Sequence, residues 1–204
     1  MGTGLLKVKV CGIRSLEGAK ACREAAADFV GLNFVPSSRR RVSIDQARIL
    51  LDEISVSRVV GVFFNQEFEE IEAIADALGI TMVQLHGQES PDLCRVLSKK
   101  YRLIKAIAVD EKFEEKILEP YREWVEYFLF DAPKAGSGKP FDWEKLKSID
   151  RKTPFFLAGG LEPENVRMAI ERVRPDGVDT ASGIEKEKIE DRERILAFCA
   201  NARR

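Results

Sequence analysis

The chain has 204 residues, of which 45% are hydrophobic and 33% charged, so it is long enough and apolar enough to fold around a sizeable core. Its 33 Lys and Arg residues against 34 Asp and Glu residues give a net charge of −1. A protein that coats nucleic acid or an anionic membrane carries a basic excess. The composition therefore argues against nucleic-acid and membrane partners and leaves a small local anion site open.

Targeting and cross-linking signals are expected to be absent. The opening residues, 1–7, contain no long apolar run, and charges interrupt every apolar stretch before 18 residues, so we expect neither a signal peptide nor a membrane span. The cysteines at positions 11, 22, 94 and 199 lack the spacing of a zinc site or a disulfide framework. We therefore expect no metal site and a cytoplasmic location.

Short β-branched and aromatic runs alternate with charged stretches of helical period along the whole chain. The runs predict eight strands, at Leu5–Cys11, Phe29–Phe34, Val59–Phe64, Met82–His86, Leu103–Val109, Tyr127–Asp131, Phe155–Ala158 and Gly177–Thr180. The stretches between them predict helices near Leu16–Ala26, Ile44–Ile54, Phe68–Leu78, Pro91–Lys100, Lys112–Leu118, Trp143–Ile149, Pro163–Val173 and Lys186–Ala200. Ser15 suits a helix N-cap, and Pro91 and Pro163 suit first-turn helix positions.

The repeat favours a closed barrel of parallel strands over an open doubly wound sheet. Eight units in 204 residues have about 25 residues each, which fits the lower size limit of a (β/α)₈ barrel. An open parallel sheet is covered on both faces and reads as near-continuous apolar runs. Here Val8 and Val10 share one face of the first strand, whereas Lys9 and Cys11 share the other. No linker interrupts the chain, so we expect a single (β/α)₈ domain over residues 1–204.

Residues able to do chemistry follow the predicted strands, where barrel enzymes place their sites. They include a thiol, a carboxylic acid, cations and glycine-rich backbone, at Cys11-Gly12, Phe34–Arg41, His86-Gly87, Asp131, Gly159-Gly160 and Asp179–Gly183. Glycines after the seventh and eighth strands let backbone N–H groups approach a phosphate. Either glycine pair alone would equally suit an ordinary turn. Gly159 and Gly160 together with Ser182 and Gly183 favour a phosphate site.

Several of these residues also have plain structural explanations. A cysteine such as Cys11 is more often a small buried hydrophobe than a catalyst, and His86, the single histidine, is more often hydrogen-bonded scaffolding than a base. The run Arg39–Arg41 would usually be solvated, although its place after a strand suits an anion contact. The segment 136–139, Gly-Ser-Gly-Lys, ends like a nucleotide P-loop but lacks its first glycine and its Ser or Thr, so we expect a flexible loop over the barrel mouth.

An ordered set of motifs spans nearly the whole chain. It comprises Lys9–Ile13, Ala27–Phe34, Ser38–Val42, Val60–Phe63, Gln84–Gly87, Asp131 with Gly136–Trp143, Ala158–Leu161, Pro163–Val166 and Val178–Glu185. Together they resemble the phosphoribosylanthranilate isomerase family of tryptophan biosynthesis. The set departs from the family at Arg14, where many members have Thr, and at Thr180-Ala181, which replaces a common Val-Ser.

The resemblance implies a (β/α)₈ barrel without cofactor or metal that acts on a small phosphoribosyl substrate, as a monomer or a homodimer. The implied reaction is the Amadori rearrangement of N-(5-phosphoribosyl)anthranilate to 1-(2-carboxyphenylamino)-1-deoxyribulose 5-phosphate. Asp131 matches the family's general acid and Cys11 its general base, with Lys9 a neighbour able to lower the thiol pKa. Arg40 matches the arginine that meets the anthranilate carboxylate. The remaining matches are His86 and Asp179 in the active site and Gly159, Gly160, Ser182 and Gly183 around the phosphate.

Three other functions stay open at this point. ProFAR isomerase performs the same rearrangement but uses Asp at the end of the first strand, where this chain has Cys11. Indoleglycerol-phosphate synthase relies on a catalytic lysine and glutamate and on a longer N-terminal extension. A non-catalytic sensor of phosphate ligands has no need of both Cys11 and Asp131 beside a phosphate site. The sequence therefore favours the isomerase.

Overall fold

The computed structural model describes residues 5–133, 141–147 and 149–204. Eight parallel strands close into one barrel in chain order, with β8 pairing with β1. The strands are β1 Lys7–Cys11, β2 Phe29–Asn33, β3 Val59–Phe63, β4 Met82–Leu85, β5 Arg102–Ala108, β6 Tyr127–Asp131, β7 Phe155–Leu157 and β8 Gly177–Thr180. The predicted closed barrel is therefore confirmed and the open sheet is excluded.

The alternation of side chains along the strands divides the core into two parts. One apolar cluster fills the barrel lumen, and its buried members are Phe29, Val60, Met82, Ile104, Ala106, Leu129, Phe156 and Ala158. A larger cluster lies between the strands and the surrounding helices and includes Val8, Val10, Val83 and Leu85. Because side chains alternate along a strand, Lys9 and Cys11 face the lumen. The polar face predicted for the first strand is thus the inner face of the barrel.

In the described part of the chain, six α-helices pack around the barrel: α1 Leu16–Glu24, α2 Ile44–Leu51, α3 Phe68–Leu78, α4 Pro91–Leu97, α5 Val166–Val173 and α6 Arg192–Ala202. Ser15 caps α1 by accepting a hydrogen bond from the Gly18 amide, as predicted. Pro91 occupies the first turn of α4, also as predicted, since its missing N–H has no acceptor there in any case.

Two predicted helices are only short 3₁₀ segments. The helix expected over Lys112–Leu118 is replaced by a 3₁₀ segment at Glu115–Tyr121, which contains Pro120. Proline lacks the N–H that an α-helix needs in its interior, so α-helical pairing is not sustained there. The helix expected over Trp143–Ile149 is a 3₁₀ segment at Trp143–Leu146. Helical period in such short stretches marks which face is buried but does not fix the helix type.

The last two helices begin later than predicted. Pro163 was expected in a first turn, but α5 begins at Val166, after the side chain of Asn165 folds back to accept from the Glu162 amide. The helix expected from residue 186 begins at Arg192, because residues 185–190 form a hairpin of two short antiparallel strands, β9 Glu185–Lys186 and β10 Ile189–Glu190. Tertiary contacts of this hairpin override the helical pattern of its sequence.

The loop predicted to cover the barrel mouth falls at residues 132–140, most of which lie outside the described residues. Among the residues that are described, no helix is long and apolar enough to cross a bilayer.

Candidate active site

The carboxyl ends of the strands bring the candidate residues to one mouth of the barrel. Cys11 is the last residue of β1 and Asp131 the last residue of β6, while Asp179 lies on β8. In the closed order β7 and β8 separate β6 from β1 on one side of the barrel, so the thiol and the Asp131 carboxyl approach the mouth from different sides. Asp179 approaches from between them.

A buried ion pair lies directly below the thiol. Lys9 Nζ donates to Asp179 Oδ1 at 2.9 Å, and the two side chains are 0% and 7% exposed. Burial lowers the pKa of Lys9, but Asp179 and Cys11 outweigh it, so the Lys9 pKa is raised above its ordinary 10.5 and the ammonium is charged at neutral pH. Lys9 therefore supplies a fixed positive charge beside Cys11.

Burial has the largest effect on the pKa of the Cys11 thiol. Burial raises the pKa of the Cys11 thiol above its ordinary 9.0 and outweighs the opposing effects of Lys9 and Arg40. The lowering effect expected of Lys9 is therefore present, but burial is the larger effect. Because the raised pKa lies above neutral pH, the thiolate is the minority form, and Lys9 increases its share.

Asp131 is held by a histidine on one side and by backbone on the other. His86 Nε2 lies 3.3 Å from Asp131 Oδ2, and the Ala132 amide donates to Asp131 Oδ1 at 2.7 Å. His86 Nδ1 in turn lies 2.7 Å from the side-chain amide nitrogen of Gln84. The single histidine therefore does have the scaffolding contacts expected of it, and these contacts join it to the predicted acid.

Asp179 couples the two sides of the mouth electrostatically. Burial raises its pKa and the negative charge of Asp131 adds to this effect, whereas Lys9 and His86 oppose it. Asp179 also raises the pKa of Cys11, so it interacts with groups on both sides of the mouth. The structure thus brings Cys11, Asp131, His86 and Asp179 together, as predicted from their strand-end positions.

Arg40 reaches the same mouth from the loop after β2. Its aliphatic stem lies against Gly12, where a Cβ would approach Arg40 Cδ to 2.4 Å. Gly12 also has a φ of +82°, a conformation that favours glycine. The guanidinium is paired with Glu185, with Nε donating to Oε1 at 2.7 Å and Nη2 to Oε2 at 3.0 Å.

The glycine-rich loops after β7 and β8 lie against each other. Thr180 Oγ1 donates to the Leu161 carbonyl at 2.7 Å, and a Cβ at Gly183 would fall 2.0 Å from the same oxygen. Gly159 and Gly160 have φ of +81° and +71°. Both glycines are partly exposed, and within the described residues neither of their amide N–H groups has an acceptor. These amides, beside the start of α5, are available to an anion.

The similarity of this chain to known proteins supports the assignment of the mouth as an active site. A family model described as N-(5'phosphoribosyl)anthranilate (PRA) isomerase matches residues 8–201. The chain belongs to this family. A relative from Thermotoga maritima, named N-(5'-phosphoribosyl)anthranilate isomerase, is 40% identical over an alignment that covers 98% of this chain and 99% of the relative.

Solved structures of the isomerase family match the barrel closely. The crystal structure of phosphoribosyl anthranilate isomerase from Thermotoga maritima has a TM-score of 0.88 and 38% identity, covering 97% of this chain and 98% of that one. Another crystal structure of the family, in complex with reduced 1-(o-carboxyphenylamino)-1-deoxyribulose 5-phosphate, has a TM-score of 0.86 and 37% identity, covering 97% of this chain and 98% of that one.

Two residues in this isomerase-family site have no role assigned from the sequence. Gln84 is 1% exposed, and its side-chain amide contacts His86. Its position two residues before His86 on the predicted strand puts both side chains on the same face, and this spacing is the sequence pattern that indicates the contact. Glu185 binds Arg40, which lies 145 positions earlier in the chain, and no local sequence pattern predicts that contact. Among the described residues, no group of three or more His, Cys, Asp or Glu side chains is placed to hold a metal ion.

Proposed function

We propose that this chain catalyses the Amadori rearrangement of N-(5-phosphoribosyl)anthranilate to 1-(2-carboxyphenylamino)-1-deoxyribulose 5-phosphate, the third step from chorismate to tryptophan. The observation that carries the proposal is the convergence of a thiol, a carboxyl group and two glycine-rich loops on one barrel mouth, in a chain matching the isomerase family over residues 8–201. The chain is therefore an aldose–ketose isomerase.

The phosphate end of the substrate has a natural place in the mouth. The amides of Gly159 and Gly160, which have no acceptor among the described residues, bind the phosphate together with the adjoining backbone at Ser182 and Gly183, because free N–H groups of glycine-rich turns favour an anion. This places the sugar over the centre of the mouth, between β1 and β6. Ala181 offers no hydroxyl group, so backbone donors carry the contact on that side.

Asp131 acts first, as the general acid. In its protonated form it gives its proton to the ring oxygen of the furanose as the C1–O bond breaks, and the electron pair of the aromatic amine forms the C=N bond of a Schiff base. His86, 3.3 Å from Asp131 Oδ2, keeps the carboxyl group aimed into the mouth. General acid catalysis of this kind contributes about 10² to 10⁴-fold in rate.

Cys11 acts second, as the general base. Its thiolate takes the proton from C2 of the sugar, and the C2–H electron pair forms the C1=C2 bond of an enolamine while the C=N electrons return to nitrogen. Tautomerisation of the enolamine gives the ketone. Lys9 supports this step by stabilising the thiolate against the effect of burial, and Asp179 holds Lys9 in place.

The decisive experiment follows the loss of anthranilate-type fluorescence when the phosphoribosyl amine is supplied. We expect the unmodified chain to turn over, and Cys11→Ser and Asp131→Asn each to lose about 10² to 10⁴-fold in kcat while circular dichroism shows an unchanged fold. Cys94→Ser and Asp92→Asn are the matched controls, since Cys94 lies on α4 and Asp92 is exposed there.

Near-normal rates in either site variant would remove that residue from the mechanism. Binding of phosphoribosyl ligands without conversion by the unmodified chain would identify a sensor, and conversion of the histidine-pathway aminoaldose alone would identify the ProFAR-type activity. We further propose a cytoplasmic location and a monomer or homodimer, which cell fractionation and analytical ultracentrifugation test.

A further inference from the structure

Two arginines of the loop after β2 share one carboxylate at the edge of the mouth. Glu185, the first residue of the β9–β10 hairpin, binds Arg40 through Nε and Nη2 at 2.7 and 3.0 Å and also pairs with Arg39. The Glu185 side chain is 7% exposed and that of Arg40 12%. Burial favours the neutral acid, yet hydrogen bonds from both arginines outweigh it and hold the pKa of Glu185 below its ordinary value. Glu185 is therefore a carboxylate at neutral pH.

The contact fixes which edge of the Arg40 guanidinium remains for a ligand. Nε and one N–H of Nη2 point to Glu185, so the outer edge, formed by Nη1 and the second N–H of Nη2, is left over. Among the described residues, Nη1 donates to no acceptor. This outer edge is a fork of parallel donors that fits a second carboxylate.

Arg40 is held on two sides. Its stem packs against Gly12, directly after Cys11, and its head is bound by Glu185. A free arginine side chain loses rotamer entropy when it binds a ligand, and a side chain that is already ordered has lost it beforehand. Charge also matches: two guanidinium groups and one carboxylate leave a single positive charge for one incoming carboxylate.

We propose that Glu185 is a positioning residue that determines specificity for the carboxylate of the substrate's aromatic ring, by orienting the outer edge of Arg40 toward the mouth. The proposal rests on the proposed function, together with the contact between Arg40 and that carboxylate that the family resemblance implies. Glu185 touches no reacting atom; it acts through Arg40.

The hairpin that carries Glu185 is itself anchored to the loop after β1. Glu190 Oε1 accepts from the Arg14 and Ser15 amides at 2.9 and 2.8 Å, and its Oε2 lies 3.3 Å from Arg14 Nε. Arg14 thus helps to fix the hairpin at the edge of the mouth. Because Glu190 does not contact Arg40, a change at Glu190 tests hairpin attachment separately from the orientation of Arg40.

The test compares two inhibitors that differ only in the carboxylate. One is reduced 1-(2-carboxyphenylamino)-1-deoxyribulose 5-phosphate and the other is the same compound with a phenyl ring lacking the carboxyl group. For each variant, isothermal titration calorimetry gives the ratio of two dissociation constants, that of the compound without the carboxyl group divided by that of the carboxylate compound. We expect Glu185→Gln to reduce the wild-type ratio about tenfold, through weaker binding of the carboxylate compound alone. Glu185→Asp, which keeps the charge but shortens the reach, should also reduce it.

Controls separate orientation from general damage. Glu190→Gln should leave the ratio unchanged, and in an Arg40→Ala background Glu185→Gln should have no further effect on it. In turnover assays the Glu185 variants should raise KM more than they lower kcat. Should Glu185→Gln fail to fold, Glu185→Asp decides by the same ratio.

An unchanged or larger ratio in the folded Glu185 variant would overturn the proposal, and a larger one would show that Glu185 competes with the ligand for Arg40. A wild-type ratio near one would instead show that Arg40 does not bind the carboxylate at all. That result overturns the contact between Arg40 and the carboxylate, and this inference with it. If the wild type discriminates between the two inhibitors and Glu185→Gln discriminates equally well, this inference alone is refuted.

Discussion

Among the described residues, two lysine–carboxylate pairs are buried, one on each side of the barrel wall, and they differ in how many hydrogen bonds they make. Outside the wall, Lys105 Nζ binds Glu89 Oε2 at 3.0 Å and also donates to the carbonyls of Gly87 and Ala106 at 2.8 and 3.0 Å. Inside, Lys9 Nζ donates to Asp179 Oδ1 at 2.9 Å, and its other interaction is with the Cys11 thiol, on which its charge acts.

The carboxylates differ in the same way. Glu89 Oε1 accepts from the Asn65 and Gly87 amides at 2.9 and 3.0 Å, so the outer pair fastens the loop after β4 to neighbouring backbone. Asp179 lies instead among the charges of Asp131 and His86, which act on its protonation. A fully bonded pair stabilises one conformation, whereas a partly bonded pair at a site mouth remains free to influence chemistry.

The largest effect that would sharpen this contrast is on stability. Lys105→Met leaves Glu89 buried without its cation, and breaking one half of a buried pair costs about 3–5 kcal/mol. Urea unfolding should show this loss, while turnover per folded molecule is retained. Lys100→Met, at an exposed lysine, is the matched control and should change stability little. An unfolding free energy for Lys105→Met equal to that of the control would contradict the structural role.

The next effect is on turnover. Lys9→Met removes the charge that favours the Cys11 thiolate, so we expect kcat at neutral pH to fall about 10²-fold. Since the deficit lies in the thiolate fraction, part of the activity should return as the pH is raised. Lys7→Met, on the same strand but at its half-exposed amino end, is the control. A loss that is the same at every pH would point to damage of the fold rather than to thiol ionisation.

The smallest effect is a shift in the titration of the thiol. Asp179 raises the pKa of Cys11, and Asn in its place removes that negative charge while Lys9 remains, so Asp179→Asn should move the thiol midpoint to lower pH. The rate of Cys11 alkylation by iodoacetamide against pH, followed by peptide mass spectrometry, measures the midpoint. It should lie above 9.0 in the unmodified chain. A midpoint that stays or rises in Asp179→Asn would refute the coupling.

Much of the barrel could be read from the chain because strand periodicity is local. The run at residues 7–11 alternates apolar and polar residues, and that alternation already separates the helix-facing side from the lumen. Helix type and helix boundaries were harder to predict from the sequence, as the 3₁₀ segment containing Pro120 and the β9–β10 hairpin show. In both places backbone pairing was decided by neighbours that a local window of sequence does not contain.

The candidate site divides along the same line. The sequence by itself determined which residues stand at strand ends, so Cys11 and Asp131 could be named from position and motif. Only the closed barrel decided their electrostatics, because Lys9 and Asp179 are 170 positions apart and Arg40 and Glu185 are 145 apart. Burial, which depends on every surrounding element, raises the Cys11 pKa by more than Lys9 lowers it. Local spacing fixes the face on which a side chain lies, whereas its partners and its solvent exposure exist only after the chain closes on itself.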